Sequence, residues 1–342
     1  MKRFMIAAAS IAALVACSKT TSVYEDASEI GLAPVNYLTK ANGAINSTTY
    51  PQDESFKVFA VHTPSENGTQ FDAADKNFTV YLTDAEFVNK EKGATWGGKT
   101  PYYWPKTGSL FFAGYSPARA VRESASYEFA TTPGLTMTGF TQGAYAKAGV
   151  AASADMVDLM WFDHTAVSAN TGAPAVIFKH ALSYLTMNFK STDAHAGIFT
   201  LKKVTLKGVK MKGNFTSAAK SSWTFDPATN AESIVIFDAA EGQAMTATAF
   251  TADNLLIIPQ GIEASSLEIQ YEQKTPAQQT ILNTQSFTLE GGDTAGDDKG
   301  NWLVGFHYTY NFTFTFSAQE EILLTPSVEA WSDATAQEIE VK

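Results

Sequence analysis

The sequence predicts an all-β chain of two tandem Ig-like β-sandwich domains, and three observations carry that expectation. From Phe306 to Phe316 aromatic and polar residues alternate without a break, FHYTYNFTFTF, which is the period of a strand with one wet face. Short β-branched and aromatic runs recur along the chain, separated by Gly, Pro, Asn and Asp clusters. No long segment repeats apolar residues at a 3.6-residue period, so helices are few and short.

In chain order, the first 16 residues, MKRFMIAAASIAALVA, pair two cations with an apolar run too short to span a membrane and read as a signal peptide. Leu14-Val15-Ala16-Cys17 resembles the lipobox of bacterial lipoproteins, which implies cleavage before Cys17, lipidation of that residue and, with Ser18 following, delivery to the outer membrane. Residues 17–28 are a polar tether. EIGLAPVNYL (Glu29–Leu38) is a weak strand whose Pro34 fits a sheet edge. FKVFAVH, FTVYL, ATWGG, SLFFAGYSP and MVDLMWF complete a first sandwich over 29–170. VSANTGAPA, small and polar, marks the boundary. The second sandwich, 171–342, opens with AVIFKHALSYLTMNFK as one long strand and continues through KVTLKGVKM, ESIVIF, NLLIIPQ, SLEIQYE and TQSFTLE to the ringed strand and a terminal segment. The six rings of that strand are expected in the core, since an exposed aromatic stripe invites aggregation.

Composition narrows the function classes. The chain has 342 residues, 45% hydrophobic and 12% aromatic, enough for sizeable cores. Its net charge of -11 and absence of a basic patch exclude nucleic acid as a partner. Cys17 is its one cysteine, so it forms no internal disulfide. The five histidines, His62, His164, His180, His195 and His307, lack metal-site spacing, and His180 in an apolar strand reads as a satisfied core residue. GYSPA (Gly114–Ala118) is an incomplete nucleophile motif with no helix after it. GGDTAGDDKG (Gly291–Gly300) lacks the register of a calcium loop and reads as a solvated hairpin loop. Asp293-Thr294-Ala295 matches a three-residue O-glycan acceptor pattern of low specificity. Trp96, Tyr102, Tyr103 and Trp104 suit inter-strand packing, with a sugar platform as the alternative. No catalytic set, metal site or cofactor motif emerges.

SFKVFAVH (Ser55–His62), YYWPKTGSLFFAGYSP (Tyr102–Pro117), VIFKHALSYLTMNF (Val176–Phe189), and the ending GFHYTYNFTFTF followed by EILLTPSVEAW resemble, in that order, the fimbrillin family of Bacteroidales type V pili. The resemblance spans most of the chain. It implies two transthyretin-like β-sandwiches, no enzymatic activity, and export to the cell surface as an outer-membrane lipoprotein. It further implies removal of the first strand by a protease and assembly into a fimbrium by strand exchange with other fimbrillin-like subunits. A host protein or glycan is a further partner this class admits. The processing residue departs from the Arg found in the best-known members: between Cys17 and Phe56 the only cations are Lys19 and Lys40, so Lys40 in LTKANGA is the candidate cut. The alternative is a terminal or anchoring subunit that is never cut. The donor strand is expected after the ringed strand, carried by Ile322, Leu324, Val328 and Trp331, with Ile339 and Val341 in a second alternating piece. The rival function is a surface glycan-binding lipoprotein.

Overall fold

The structure, a computed structural model, describes residues 28–36, 50–64, 77–130, 132–145, 156–163, 172–315 and 322–330. These hold nineteen strands and one short 3-10 turn, Asp193–His195, and the class is all-β. The strands of the first half are β1 (Gly31–Asn36), β2 (Phe56–Thr63), β3 (Thr79–Val88), β4 (Trp96–Gly98), β5 (Ser109–Ser116), β6 (Ser124–Glu128), β7 (Gly134–Thr141), β8 (Met160–Asp163) and β9 (Ala175–His180). Next come β10 (Ser183–Ser191), β11 (Phe199–Val209), β12 (Lys212–Thr216), β13 (Ser222–Thr224), β14 (Glu232–Ala244) and β15 (Phe250–Ile257). The last four are β16 (Ser266–Lys274), β17 (Thr280–Phe287), β18 (Phe306–Phe314) and β19 (Ile322–Ala330).

Seven strands of the first half form a closed ring in the order β1-β4-β3-β2-β5-β8-β9. Its interior is a cluster of its own, with Phe56, Val58, Phe87, Trp96, Leu110, Phe112, Phe162 and Phe178 at its centre. β5 is buried along its whole length. Its two faces serve two cores: Leu110 and Phe112 point into the ring, while Phe111, Ala113 and Tyr115 pack into the larger cluster outside it. A strand covered on both sides loses the wet face that enforces alternation, which is why SLFFAGYS reads as a nearly continuous apolar run. Gly114 is required there, because a Cβ would stand 2.1 Å from the Lys57 carbonyl oxygen and 2.7 Å from the Phe162 ring.

The second half packs the sheet β15-β10-β18-β19 against the sheet β14-β11-β16-β17. β18 is an interior strand, parallel to β10 and antiparallel to β19. Of the six rings expected in the core, Tyr308, Tyr310, Phe312 and Phe314 are fully buried, Phe306 is half-buried, and Phe316 lies outside the described residues. Phe312 stacks on Phe189 at 5.1 Å and meets Phe287 edge-on at 5.5 Å. Phe314 packs on Phe199 and Tyr271. The tyrosine hydroxyls find partners at the end of the core: Tyr310 accepts from Trp302 Nε1 at 2.9 Å and donates to the Glu290 carbonyl at 2.6 Å. On the wetter face Asn188 donates to Asn311 across the parallel pair at 2.9 Å.

AVIFKHALSYLTMNFK is not one strand. The chain turns at Ala181 and Leu182, so that β9 pairs with β1 and β8 of the ring while β10 pairs with β15 and β18. The corner is pinned by the Ala181 N–H to Leu159, by Trp223 Nε1 donating to the Ala181 carbonyl at 2.7 Å, and by buried His180, whose Nδ1 lies 3.0 Å from Asp158 Oδ1. A further sheet, β13-β12-β7-β6, joins strands from before and after this corner.

Candidate assembly site

The strand expected to be removable is β1, and its place in the fold is specific. It completes the ring, antiparallel to β4 through only Gly31 and Leu32, and parallel to β9 through Ala33 to Asn36. The two pairings use different halves of the strand. Pro34 therefore sits where only the β9 side needs a ladder, which reconciles a proline with a strand that has neighbours on both sides. Ile30 and Leu32 are fully buried in the ring's own cluster. Flanking backbone bonds hold the entry: Ile30 N–H to Tyr102 at 2.8 Å, Ala33 N–H to Pro174 at 3.0 Å, and Trp104 N–H to Ser28 at 3.1 Å. An exposed ion pair, Lys90 to Glu29 at 2.6 Å, adds little.

Those features make β1 a plug. Burial of Ile30 and Leu32 is worth about 1.5–3 kcal/mol each, or roughly 3–6 kcal/mol together. The rest of the ring's core belongs to other strands: Trp96 and Phe178, on the two strands that border β1, have Leu32 and Asn36 of β1 as ladder partners, but Trp96 packs its ring on Tyr50, and Phe178 packs on Tyr50, Phe56 and Phe162. Taking β1 away leaves a slot between Trp96–Gly98 and Ala175–His180, edged by unpaired backbone groups of both strands.

The expected donor residues fall in two places. The backbones of Ile322, Leu324 and Val328 lie on β19, opposite Phe314, Phe312 and Tyr308, at the edge of its own chain's sheet. Pro326 sits opposite Tyr310, in keeping with an edge. Trp331, Ile339 and Val341 lie outside the described residues, as do Cys17 and Lys40. Trp96 and Trp104 are core residues, with Trp96 Nε1 donating to the Glu54 carbonyl at 3.0 Å. Ser116 of the GYSPA segment is buried and shares a 2.6 Å hydrogen bond with Tyr50 Oη rather than with a histidine. The Gly291–Gly300 loop is closed on itself, with Asp293 Oδ1 accepting from the N–H groups of Ala295 and Asp297. Among the described residues no three acidic, His or Cys side chains are grouped as a metal site.

Sequence reasoning named ATWGG, which holds β4, and AVIFKH, which holds β9, as strand segments, but not that these two are the walls beside β1. Their apolar runs are visible, but their pairing with a strand far away in sequence is not.

Among curated proteins none matches this chain. Solved structures do. A candidate cell adhesion protein from Bacteroides uniformis superposes with a TM-score of 0.51 at 13% identity, covering 89% of this chain and 99% of that one. Another from Bacteroides ovatus gives 0.51 at 16% identity, covering 89% and 98%. At such identities the likeness is one of fold. The fimbrillin-like family model matches residues 39–331, most of the chain, and the chain belongs to that family.

Proposed function

We propose that the chain is a structural subunit or adhesin of a cell-surface fimbrium, exported as a lipoprotein on Cys17 and assembled by strand exchange. The observation that carries this reading is the plug geometry of β1: buried Leu32 and Pro34 with buried Ile30 just before them, two ladder pairs with β4 and four with β9, and a position between Cys17 and Lys40. Cleavage at Lys40 would detach lipid anchor and plug in one cut. The slot left behind takes an extended tail from the next subunit. Such a contact is heterologous, joining two different surfaces, so it propagates into an open fibre.

β19 forms nine successive pairs with β18, which favours retention of Ile322, Leu324 and Val328 in their own sheet. The donated residues are then Trp331, Ile339 and Val341, which follow that strand. Deleting Ala336–Lys342 tests this. The truncated protein should melt like the full chain yet form no fibres by electron microscopy of the producing cells. Normal fibres would refute the donor assignment.

A second reading, surface glycan binding, is favoured by a cleft of about 1210 Å³ lined by Trp161, Trp223, Phe225, Lys179 and Asn301 among others. Retention on immobilised polysaccharide that is lost in Trp223→Ala would support it, and absence of retention would remove it.

A further inference from the structure

The cleft of about 1210 Å³ has two walls of unlike chemistry. One comes from β8, β9 and the segment 220–225, with Trp161, Lys179, Lys220, Trp223 and Phe225. The other comes from the segments 259–261 and 293–306, and its charged groups are Asp293 and Asp298. Cations gather on the aromatic wall. The Lys179 ammonium lies 4.5 Å from the centre of the Trp161 ring, and the Lys210 ammonium 5.0 Å from that of Phe225. Lys179 is half-exposed and pairs with Asp163 at 3.3 Å, whereas Lys210 and Lys220 have no carboxylate partner among the described residues. In a chain of net charge -11 this wall is a local reversal of sign.

Trp161 gives a second, independent signal. It is 6% exposed and lines the cleft, and its Nε1 has no hydrogen-bond partner. The other indoles of the cleft are engaged: Trp223 Nε1 donates to the Ala181 carbonyl and Trp302 Nε1 to Tyr310 Oη. Buried polar groups are nearly always paired, so an unpartnered indole N–H on a cleft wall points to a ligand oxygen as its acceptor. On the acidic wall, Asp293 Oδ1 accepts from the N–H groups of Ala295 and Asp297, and Asp298 Oδ1 from Asn301 Nδ2. Their remaining oxygens accept from hydroxyls and repel a second negative charge.

We propose that the cleft takes an oligosaccharide carrying one acidic sugar. The inference rests on the glycan reading of this cleft and names the class of glycan. Lys179, Lys210 and Lys220 hold the acidic group, Trp161 Nε1 donates to a ligand oxygen, and Asp293 and Asp298 accept from hydroxyls at the opposite wall. Half-buried Trp223 and Phe225 offer their rings to the apolar faces of the sugars. The cleft exceeds the ~300–1,000 Å³ of ordinary small-molecule pockets, so it admits several sugar rings. A polyanion fits poorly, because its next charge meets the two aspartates.

Calorimetry on the lipid-free mature chain carrying Cys17→Ser tests the assignment with matched probes: lactose with and without sialic acid, lactose with and without one sulfate, xylotriose with and without glucuronic acid, and a heparin-type oligosaccharide. An acidic member should bind about tenfold or more tighter than its neutral parent. The sialic and glucuronic pairs against the sulfate pair distinguish a carboxylate from a sulfate. Lys210→Gln with Lys220→Gln should erase most of that preference while neutral binding and melting stay unchanged. Trp161→Phe, which keeps the ring and deletes the N–H, should weaken binding several-fold without lowering the melting temperature. Equal binding of acidic and neutral members, or tightest binding of the heparin-type chain, overturns the acidic-sugar assignment and leaves the glycan reading standing. Unchanged affinity in both the lysine and the Trp161→Phe variants also overturns it. Binding of no probe removes both readings. Binding that appears only after residues 331–342 are deleted would show that the chain's own tail fills the cleft, which again overturns the proposal.

Discussion

Replacing Phe312 by alanine should destabilise the second half of the molecule by about 3–5 kcal/mol. The side chain is fully buried in an interior strand. It stacks on Phe189 and meets Phe287, two ring contacts worth about 0.5–1.5 kcal/mol each beyond the area they bury. Burial of a phenyl group adds about 1.5–3 kcal/mol, and the cavity left between two close-packed sheets adds to the loss. Thr313, the next residue, lies on the wetter face, so Thr313→Ala should change stability by no more than about 0.5 kcal/mol. Urea unfolding of both variants beside the wild type, followed by tryptophan fluorescence, reads the difference; Trp302, hydrogen-bonded to Tyr310, reports on this core. A Phe312→Ala cost below about 1 kcal/mol would refute the reasoning that the ringed strand is the structural spine of its sandwich.

Three further outcomes are expected. Cys17→Ala should abolish acyl labelling and membrane association, and persistence of the mutant in outer-membrane fractions would contradict the lipobox reading. A Lys-specific protease acting on the folded protein should cut first at Lys40 and leave the chain from Phe56 onward intact; early cuts elsewhere with Lys40 untouched would favour an uncleaved terminal subunit. Alkaline pH should unfold the protein through its buried tyrosines. Burial raises the hydroxyl pKa of Tyr50, Tyr115, Tyr184 and Tyr310, and pushes Tyr308 up to about 12. Each folded value lies above the unfolded one, near 10, so the stability these groups confer is intact below about pH 10 and is lost as pH climbs through the folded values. Melting temperatures constant to pH 10 and falling above it, with phenolate absorbance rising at unfolding, are the expected record; full phenolate absorbance in the folded state at pH 11 would contradict it.

Much of the second half was legible because its strands keep one wet face. Phe306–Phe314 and Ser266–Lys274 alternate, and their buried positions are the ones the alternation names. The first half was legible as strands but not as a closed ring, because closure depends on the parallel pairing of β1 with β9, residues far apart in sequence. β6, β7, β12 and β13 were not anticipated: SASYE, KGNFT and SWT carry little apolar signal, and GLTMTGFT, though it buries Leu135, Met137 and Phe140, has two glycines interrupting its run; the four gain strand form by pairing with one another. The corner at Ala181–Leu182 was hidden for the opposite reason. Both sides of it are apolar, so nothing in the pattern marks where the chain leaves one core for the other. At the candidate assembly site the sequence named β1 and its proline but not its walls.

The central claim is that the slot filled by β1 is an exchangeable strand site. Hydrogen exchange on the protein cleaved at Lys40, with and without a synthetic peptide of residues 331–342, tests it most directly. After cleavage and release of the N-terminal piece, amides of Trp96–Gly98 and Ala175–Phe178 should lose protection while β2 and β5 keep theirs. Addition of the peptide should restore that protection, and a peptide with Ile339→Asp and Val341→Asp should not. Full protection of both walls without β1, or an intact peptide that restores none of it, would contradict the account.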